Sequence, residues 1–245
     1  MADSNQTLVT VATYNEVDNL PRLVDEVLRI LPESDILVVD DNSPDGTGQW
    51  CNQRAAAEPR LHCLHRPGKL GLGTAMVAAM RYGIEHQYRY ILNMDADFSH
   101  HPSYLPDLVA GMDPDAGPAV DVMIGSRYVR GGRIEGWPLH RRMMSRAVNL
   151  FARVLLGIHA RDCSGSFRCY RVATLAKVDL DAICSRGYSF YEEVLYRLGR
   201  VGARMSETPI TFADRRHGAS KINPAEAIRA MGVLFQLGVQ RLFGR

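Results

Sequence analysis

Apolar positions in the first half of the chain alternate between two periods. Thr7 to Thr13 (TLVTVAT) is a short β-branched run without polar interruption, the pattern of a buried strand. Leu20, Leu23, Val24, Val27, Leu28 and Leu31 then recur at helical spacing, with Asp18 or Asn19 as cap and Pro21 in the first turn. Ile36 to Asp40 is a second buried strand, stopped by the polar turn Asp41-Asn42-Ser43-Pro44-Asp45-Gly46, after which Thr47 opens a helix to about Glu58. Leu61 to Leu64 is a weaker strand, and Arg66 to Gly73 (RPGKLGLG) is a glycine-rich loop entering a helix through about Glu85. Tyr88 to Met94 predicts a strand, Pro102 to Met112 a helix and Asp121 to Gly125 another strand.

This alternation with short connections predicts an α/β fold: a mainly parallel sheet flanked by helices, with ligands at the carboxyl ends of the strands. The second half is less regular. Arg127 to Trp137 reads as an arginine- and glycine-rich loop, and Pro138 to Ile158 as a basic amphipathic helix. Phe167 to Tyr170 predicts a short strand, Phe190 to Gly202 a helix, Arg204 to Phe212 an edge strand carrying Pro209, and Pro224 to Phe243 a final helix capped by Asn223. At 245 residues and 46% hydrophobic, one domain spanning 1–245 is expected.

Composition changes this picture little. A formal net charge of +2 gives no indication of nucleic-acid binding, and five cysteines without CxxC spacing fit reduced thiols in a cytoplasmic protein. The opening MADSNQ lacks the form of a secretory signal, and no apolar run reaches the ~18 residues of a membrane span. The nearest approach, Ala230 to Val239, is too short and is bounded by Arg229 and Arg241.

The chemistry concentrates at strand ends. Asp95-Ala96-Asp97 directly follows an apolar strand, and two carboxylates so close call for a cation; hard Mg2+ or Mn2+ would share them with phosphate oxygens of a nucleotide diphosphate. As a bare tripeptide DxD is more often a surface turn, but its position at a strand's carboxyl end favours the metal reading. Asp40-Asp41 ends the second strand and Glu16 follows the first, so three strands deliver carboxylates to one edge, where they can accept hydrogen bonds from a base and ribose hydroxyls. Helix capping and turn formation by Asp41, Asn42 and Asp45 is the competing reading. No GxGxxG follows the first strand and no P-loop is present. His100, His101, His140 and His217 form no HxxxH-type cluster.

Seven segments in order carry a family resemblance: Thr13-Tyr14-Asn15-Glu16, Asp40 to Thr47 (DDNSPDGT), Gly71-Leu72-Gly73, Asp95 to His100 (DADFSH), Gly125-Ser126-Arg127-Tyr128, Asp162 to Tyr170 (DCSGSFRCY) and Arg215 to Lys221 (RRHGASK). Together they resemble the dolichol-phosphate mannosyltransferases and related polyprenyl-phosphate glycosyltransferases of inverting family two, which have the Rossmann-like GT-A fold. The resemblance implies a nucleotide-sugar half (about 1–125) and an acceptor-facing half (about 126–245). It implies that Thr13, Tyr14, Glu16 and Asp41, with Asp95, hold the nucleotide, that Asp95 and Asp97 bind the metal, and that Arg215 approaches the donor phosphates, in a catalytic set with Asp97, Arg127 and Lys221. The family often has proline where Ala12 stands, and some members place a glutamine ligand where Ser99 stands.

The expected reaction is inverting transfer of mannose from GDP-mannose to a polyprenyl (dolichyl) phosphate or a bacterial counterpart. A phosphate monoester, with its second pKa at about 6, needs no strong base, so the task is to hold two anions together. Arg127, Arg133, Arg141, Arg168 and Lys221 are the candidate cations, with Ser164 beside the acceptor phosphate; a solvated basic face is the alternative. Arginines mixed with Met143, Met144, Leu150, Phe151, Val154 and Leu155 suit a bilayer surface, although packing on the sheet explains the apolar residues as well. The implied setting is peripheral, at the cytosolic face of a membrane, and a small transmembrane partner is compatible. UDP-glucose as donor, undecaprenyl phosphate as acceptor, a sugar nucleotidyltransferase, and an inactive nucleotide-binding or membrane-scaffolding relative are the alternatives.

Overall fold

The structure, a computed structural model, describes residues 7–115, 117–187, 189–214 and 224–243. Its strands are β1 (Thr7–Thr13), β2 (Ser34–Asp40), β3 (Leu61–His65), β4 (Tyr90–Asp95), β5 (Val122–Ser126), β6 (Arg133–Glu135), β7 (Arg168–Arg171), β8 (Met205–Pro209) and β9 (Thr211–Ala213). The helices are α1 (Leu20–Ile30), α2 (Thr47–Ala57), α3 (Leu72–Glu85), α4 (Leu105–Ala110), α5 (Leu139–Leu156), α6 (Val172–Leu175), α7 (Phe190–Arg200) and α8 (Pro224–Phe243).

Seven strands form one sheet in the order β3-β2-β1-β4-β7-β5-β8, parallel except for β7, which runs against both β4 and β5. Successive residues of a strand face opposite layers. Leu8, Leu37 and Ile91 join α3, α5, α7 and α8 on one side, while Val9, Ile36 and Leu92 join α1, α2 and α4 on the other. Both halves of the chain contribute to each layer, so the expected single α/β domain is what the core builds.

Three expectations are corrected. The edge strand expected over 204–212 is two strands: β8 borders the large sheet, while β9 leaves it to pair with β6 in a separate two-stranded ribbon. Pro209 ends β8, having no N–H to continue a ladder. The expected loop 127–137 accordingly contains a strand, β6. The helix expected over 102–112 is a 3-10 turn at Pro102–Tyr104 followed by the short α4. Helix α5 stops at Leu156 because Gly157 turns left-handed (φ 67°). The Asn223 cap lies outside the described residues. All five cysteines are free, and among the described residues no helix is long and apolar enough to cross a membrane.

Candidate active site

Sheet register brings the strand-end acids together. Thr13 pairs with Asp40 across β1 and β2, and Ala12 pairs with Asp95 across β1 and β4, so residues up to 83 apart in sequence end side by side at the carboxyl edge. The two acids of β2 then divide their work. Asp40 is buried and accepts from Thr13 Oγ1 (3.1 Å), Ser43 N (3.1 Å) and Ser43 Oγ (2.5 Å), which makes it the frame of its own turn. Ser43, Asp45 and Thr47 reach across to the backbone N–H groups of Asn15, Val17 and Glu16 at 3.0–3.1 Å, stitching the two loops into one wall. Asn15 (φ 63°) and Asn42 (φ 57°) occupy the left-handed positions these turns need, a conformation asparagine tolerates best after glycine. Burial pushes the Asp45 carboxyl up, but hydrogen bonds from Thr47 and Val17 outweigh it and hold the group below its ordinary range.

Asp41 is buried as well. Its carboxylate lies 2.8 Å from Arg66 Nη1, yet burial dominates and raises its pKa. Leu70 donates its N–H to the same group, bringing the 66–71 loop over the carboxyl edge, and Lys69 Nζ stands 4.3 Å above the half-exposed Tyr14 ring. Glu16 accepts from Asn19 Nδ2 (2.9 Å). The Thr13 hydroxyl is occupied by Asp40, leaving this buried residue a part of the wall that positions Tyr14.

Asp95 and Asp97 are both partly exposed where β4 ends. Ser166 Oγ donates to Asp95 (2.9 Å), Ser99 N donates to Asp97 (3.0 Å), and His100 Nδ1 is 3.6 Å from Asp95, its ring stacked on Phe167. Two hard carboxylate donors in a solvent-reached turn fit a Mg2+ or Mn2+ ion shared with a diphosphate. Among the described residues no group of three or more His, Cys, Asp or Glu side chains could hold a metal alone, so phosphate and water oxygens would complete its shell. Ser99 is buried, with an Oγ that has no hydrogen-bond partner.

In the second half of the chain most of the candidate arginines are committed to protein partners. Arg127 makes a two-pronged pair with the fully buried Asp162 (2.8 and 2.7 Å), donates its own N–H to the same carboxylate (3.0 Å) and reaches Ser164 Oγ (3.0 Å). Burial costs both partners, but their mutual attraction wins: Arg127 is raised and Asp162 lowered relative to ordinary values. Arg141 lies 4.1 Å above Trp137 and donates to Asp214 (3.2 Å). Arg133 is exposed on β6. Arg168 corrects the expectation of an acceptor contact, because it is completely buried and spends its guanidinium on the carbonyls of Tyr191 (2.8 Å) and Cys163. Arg215 and Lys221 lie outside the described residues.

Three further residues of this half did not stand out in the sequence. Buried Asn149 of α5 accepts from Cys163 N (2.6 Å) and Ser164 N (3.2 Å) and donates to Ser164 Oγ (3.1 Å), fixing the loop that faces Arg127. Its signal was a lone amide on the inward stripe of an amphipathic helix. Glu193 accepts from Cys184 N (3.1 Å) and Ser185 N (2.8 Å) and pairs with Arg197, holding the 184–187 turn against the start of α3. There Gly73 N donates to Arg186 O (3.0 Å), and a Cβ on Gly73 would stand 2.2 Å from Ser185 O, so the second glycine of GLG is required by close approach. Glu192, next to Glu193, is buried with Oε2 unpaired, and burial pushes its pKa up to about 7.

Comparison with known proteins gives the family. The family model for glycosyl transferase family 2 matches residues 8–179. The chain is 45% identical to an undecaprenyl-phosphate mannosyltransferase of Micrococcus luteus, over 89% of this chain and 88% of that one. It is 40% identical to a polyprenol monophosphomannose synthase of Mycolicibacterium smegmatis, over 97% and 88%. Among solved structures it resembles glucosyl-3-phosphoglycerate synthase from Mycobacterium tuberculosis with Mn2+ and UDP (TM-score 0.65, 18% identity, 97% of this chain and 79% of that one). It also resembles a mannosyltransferase from Pyrobaculum calidifontis with GDP-mannose and Mn2+ (TM-score 0.61, 15% identity, 100% and 66%). At those identities the structural likeness speaks for the fold alone.

Proposed function

The chain belongs to glycosyl transferase family 2, and we propose that it transfers mannose from GDP-mannose to a polyprenyl phosphate, peripherally at the cytosolic face of a membrane. What carries the reading is the 40–45% identity, over most of both chains, to two enzymes named for prenyl-phosphate mannose synthesis. The name of the Micrococcus relative favours an undecaprenyl-type acceptor over dolichyl phosphate.

The site geometry supports the nucleotide, metal and phosphate parts of this reading. Asp41 and Glu16 offer acceptors to the N–H groups of a base and to ribose hydroxyls, under the cover of the 66–71 loop. Asp95 and Asp97 would hold Mg2+ or Mn2+, which when bound neutralises charge on the departing diphosphate. The acceptor phosphate brings its own nucleophilic oxygen, so the protein has to position it and offset its charge. Arg127 is fixed by Asp162 and Arg141 by Asp214, which preorganises both cations and reduces what must be ordered when the acceptor arrives. Arg133 remains a candidate contact on the exposed ribbon, and Arg215 and Lys221 on the segment that follows it.

Thermal protection by nucleotide tests the donor half of the reading. GDP with Mn2+ at a hundred times its Kd should stabilise the fold by about 2.7 kcal/mol. Chelation with EDTA should abolish most of that gain, and UDP should give less. Equal protection with and without EDTA would remove the metal, and greater protection by UDP would remove GDP-mannose as donor.

A further inference from the structure

We infer that Ser166 is a positioning residue for the metal ligand Asp95: its hydroxyl arrests the rotation of that carboxylate, so the ion site is set from the approach to β7 as well as from its own turn. The inference rests on the metal reading of Asp95 and Asp97 given above.

The two acids are held by different means. Asp97 accepts from the N–H of Ser99 (3.0 Å), a contact that its own turn supplies. Asp95 accepts from a hydroxyl 71 positions away, with Ser166 Oγ donating to Oδ2 at 2.9 Å. The Asp95 side chain is 31% exposed and Ser166 only 7%, so this contact ties a solvent-reached acid to the interior.

Sheet register puts the serine there. Strand β7 runs against β4 with Asn93 paired to Arg168, and carrying that antiparallel count two residues further sets Ser166 opposite Asp95. The backbone around it is clamped. The carbonyl of Ser166 accepts from Nδ2 of the buried Asn93 (2.7 Å), which also donates to the Tyr191 hydroxyl (3.0 Å). On one side Gly165 N donates to Asp162 (3.0 Å), and on the other Phe167 O accepts from Gly125 N (2.9 Å). A serine has one side-chain torsion with three staggered positions, so a fixed backbone leaves its Oγ little freedom.

His100 does not duplicate this role. Its Nδ1 lies 3.6 Å from the same Oδ2, beyond hydrogen-bonding distance. Its ring is stacked on Phe167 (centroids 5.1 Å apart) and set edge-on to Phe212 (5.2 Å), which keeps it from swinging in to replace the hydroxyl. A carboxylate that must present its oxygens to a hard cation therefore depends on Ser166 for its orientation, and losing such a support weakens metal binding by on the order of tenfold to a hundredfold.

Titration of Mn2+ into the protein with saturating GDP, with free Mn2+ read by electron paramagnetic resonance, tests this on the parent, S166A and S166T. S166A should weaken Mn2+ binding by on the order of tenfold or more, while GDP binding in EDTA and the urea midpoint stay near those of the parent. Its transfer rate should recover as Mn2+ is raised. S166T retains the hydroxyl and should bind Mn2+ much as the parent does. Unchanged Mn2+ affinity in S166A would overturn the inference and leave the metal reading standing. An equal fall in metal-free GDP binding, or a loss of Mn2+ affinity that follows the urea midpoint in both variants, would make Ser166 a structural residue and overturn it too. A parent protein that binds no Mn2+ with GDP would reject the metal reading itself, and this inference with it.

Discussion

Glu192→Gln should stabilise the protein more at pH 8 than at pH 5. Glu192 is buried in the first turn of α7, and its Oε2 has no hydrogen-bond partner. Burial is the largest influence on it; the charges of Arg168 and Arg127 favour ionisation, Asp162 opposes it, and the balance lifts its pKa from 4.5 to about 7. A carboxyl raised on folding binds its proton more tightly in the native state. Its favourable contribution is therefore complete below about pH 4.5, declines through the window from 4.5 to 7, and is absent above it. The displacement corresponds to about 3 kcal/mol that the parent protein loses across this window and the glutamine variant keeps. The substitution also places an amide where the carboxyl stood, an effect common to both pH values, so the readout is the change in the variant-minus-parent difference between pH 5 and pH 8. Urea unfolding followed by far-UV circular dichroism measures it at each pH. A difference independent of pH, or one larger at pH 5, would refute the raised pKa and with it the view that this buried acid is uncompensated by Arg168.

Asp162→Ala leaves the Arg127 guanidinium buried without its partner and should cost about 3–5 kcal/mol in urea unfolding; a loss below about 1 kcal/mol would show that Arg127 finds another partner. Asn149→Ala should raise KM for the prenyl phosphate while leaving GDP affinity unchanged, with a stability cost of about 1–3 kcal/mol from the unpaired N–H groups of Cys163 and Ser164; an equal effect on GDP would detach this amide from the acceptor side. Asp97→Ala should abolish turnover and Mn2+-dependent nucleotide protection with the circular dichroism spectrum intact, and full activity would contradict the metal site. For Arg141→Ala, the expected result is weaker use of lipid acceptor than of nucleotide, and equal losses in both would move Arg141 away from the acceptor.

Much of the acidic strand-end site is legible in the sequence because each part is local. Strands β1, β2 and β4 announce themselves as apolar runs, and in parallel strands the acids just after such runs must emerge at one edge; the pairings of Thr13 with Asp40 and of Ala12 with Asp95 are that rule in coordinates. The turn chemistry of DDNSPDGT is similarly local, although which acid frames the turn and which pairs with an arginine depends on Ser43 reaching Asp40 and Arg66 reaching Asp41. The second half of the chain resists such reading because its partners are remote. Arg168 looks like a phosphate ligand until Tyr191 and Cys163 supply carbonyls in the interior, and Arg127 looks free until Asp162, 35 residues later, closes on it. The edge strand read as continuous through Pro209 divides because β6, invisible in a loop of arginine and glycine, offers β9 a partner.

The central claim is the reaction itself, and the most direct measurement is transfer of radiolabelled mannose from GDP-mannose to undecaprenyl phosphate in detergent with Mn2+, run beside dolichyl phosphate as acceptor and UDP-glucose as donor. Label from GDP-mannose appearing in an organic-extractable, mild-acid-labile lipid, and vanishing with EDTA, is the predicted result. Label that stays in the aqueous phase with both lipids, or a lipid product formed only from UDP-glucose, would contradict it.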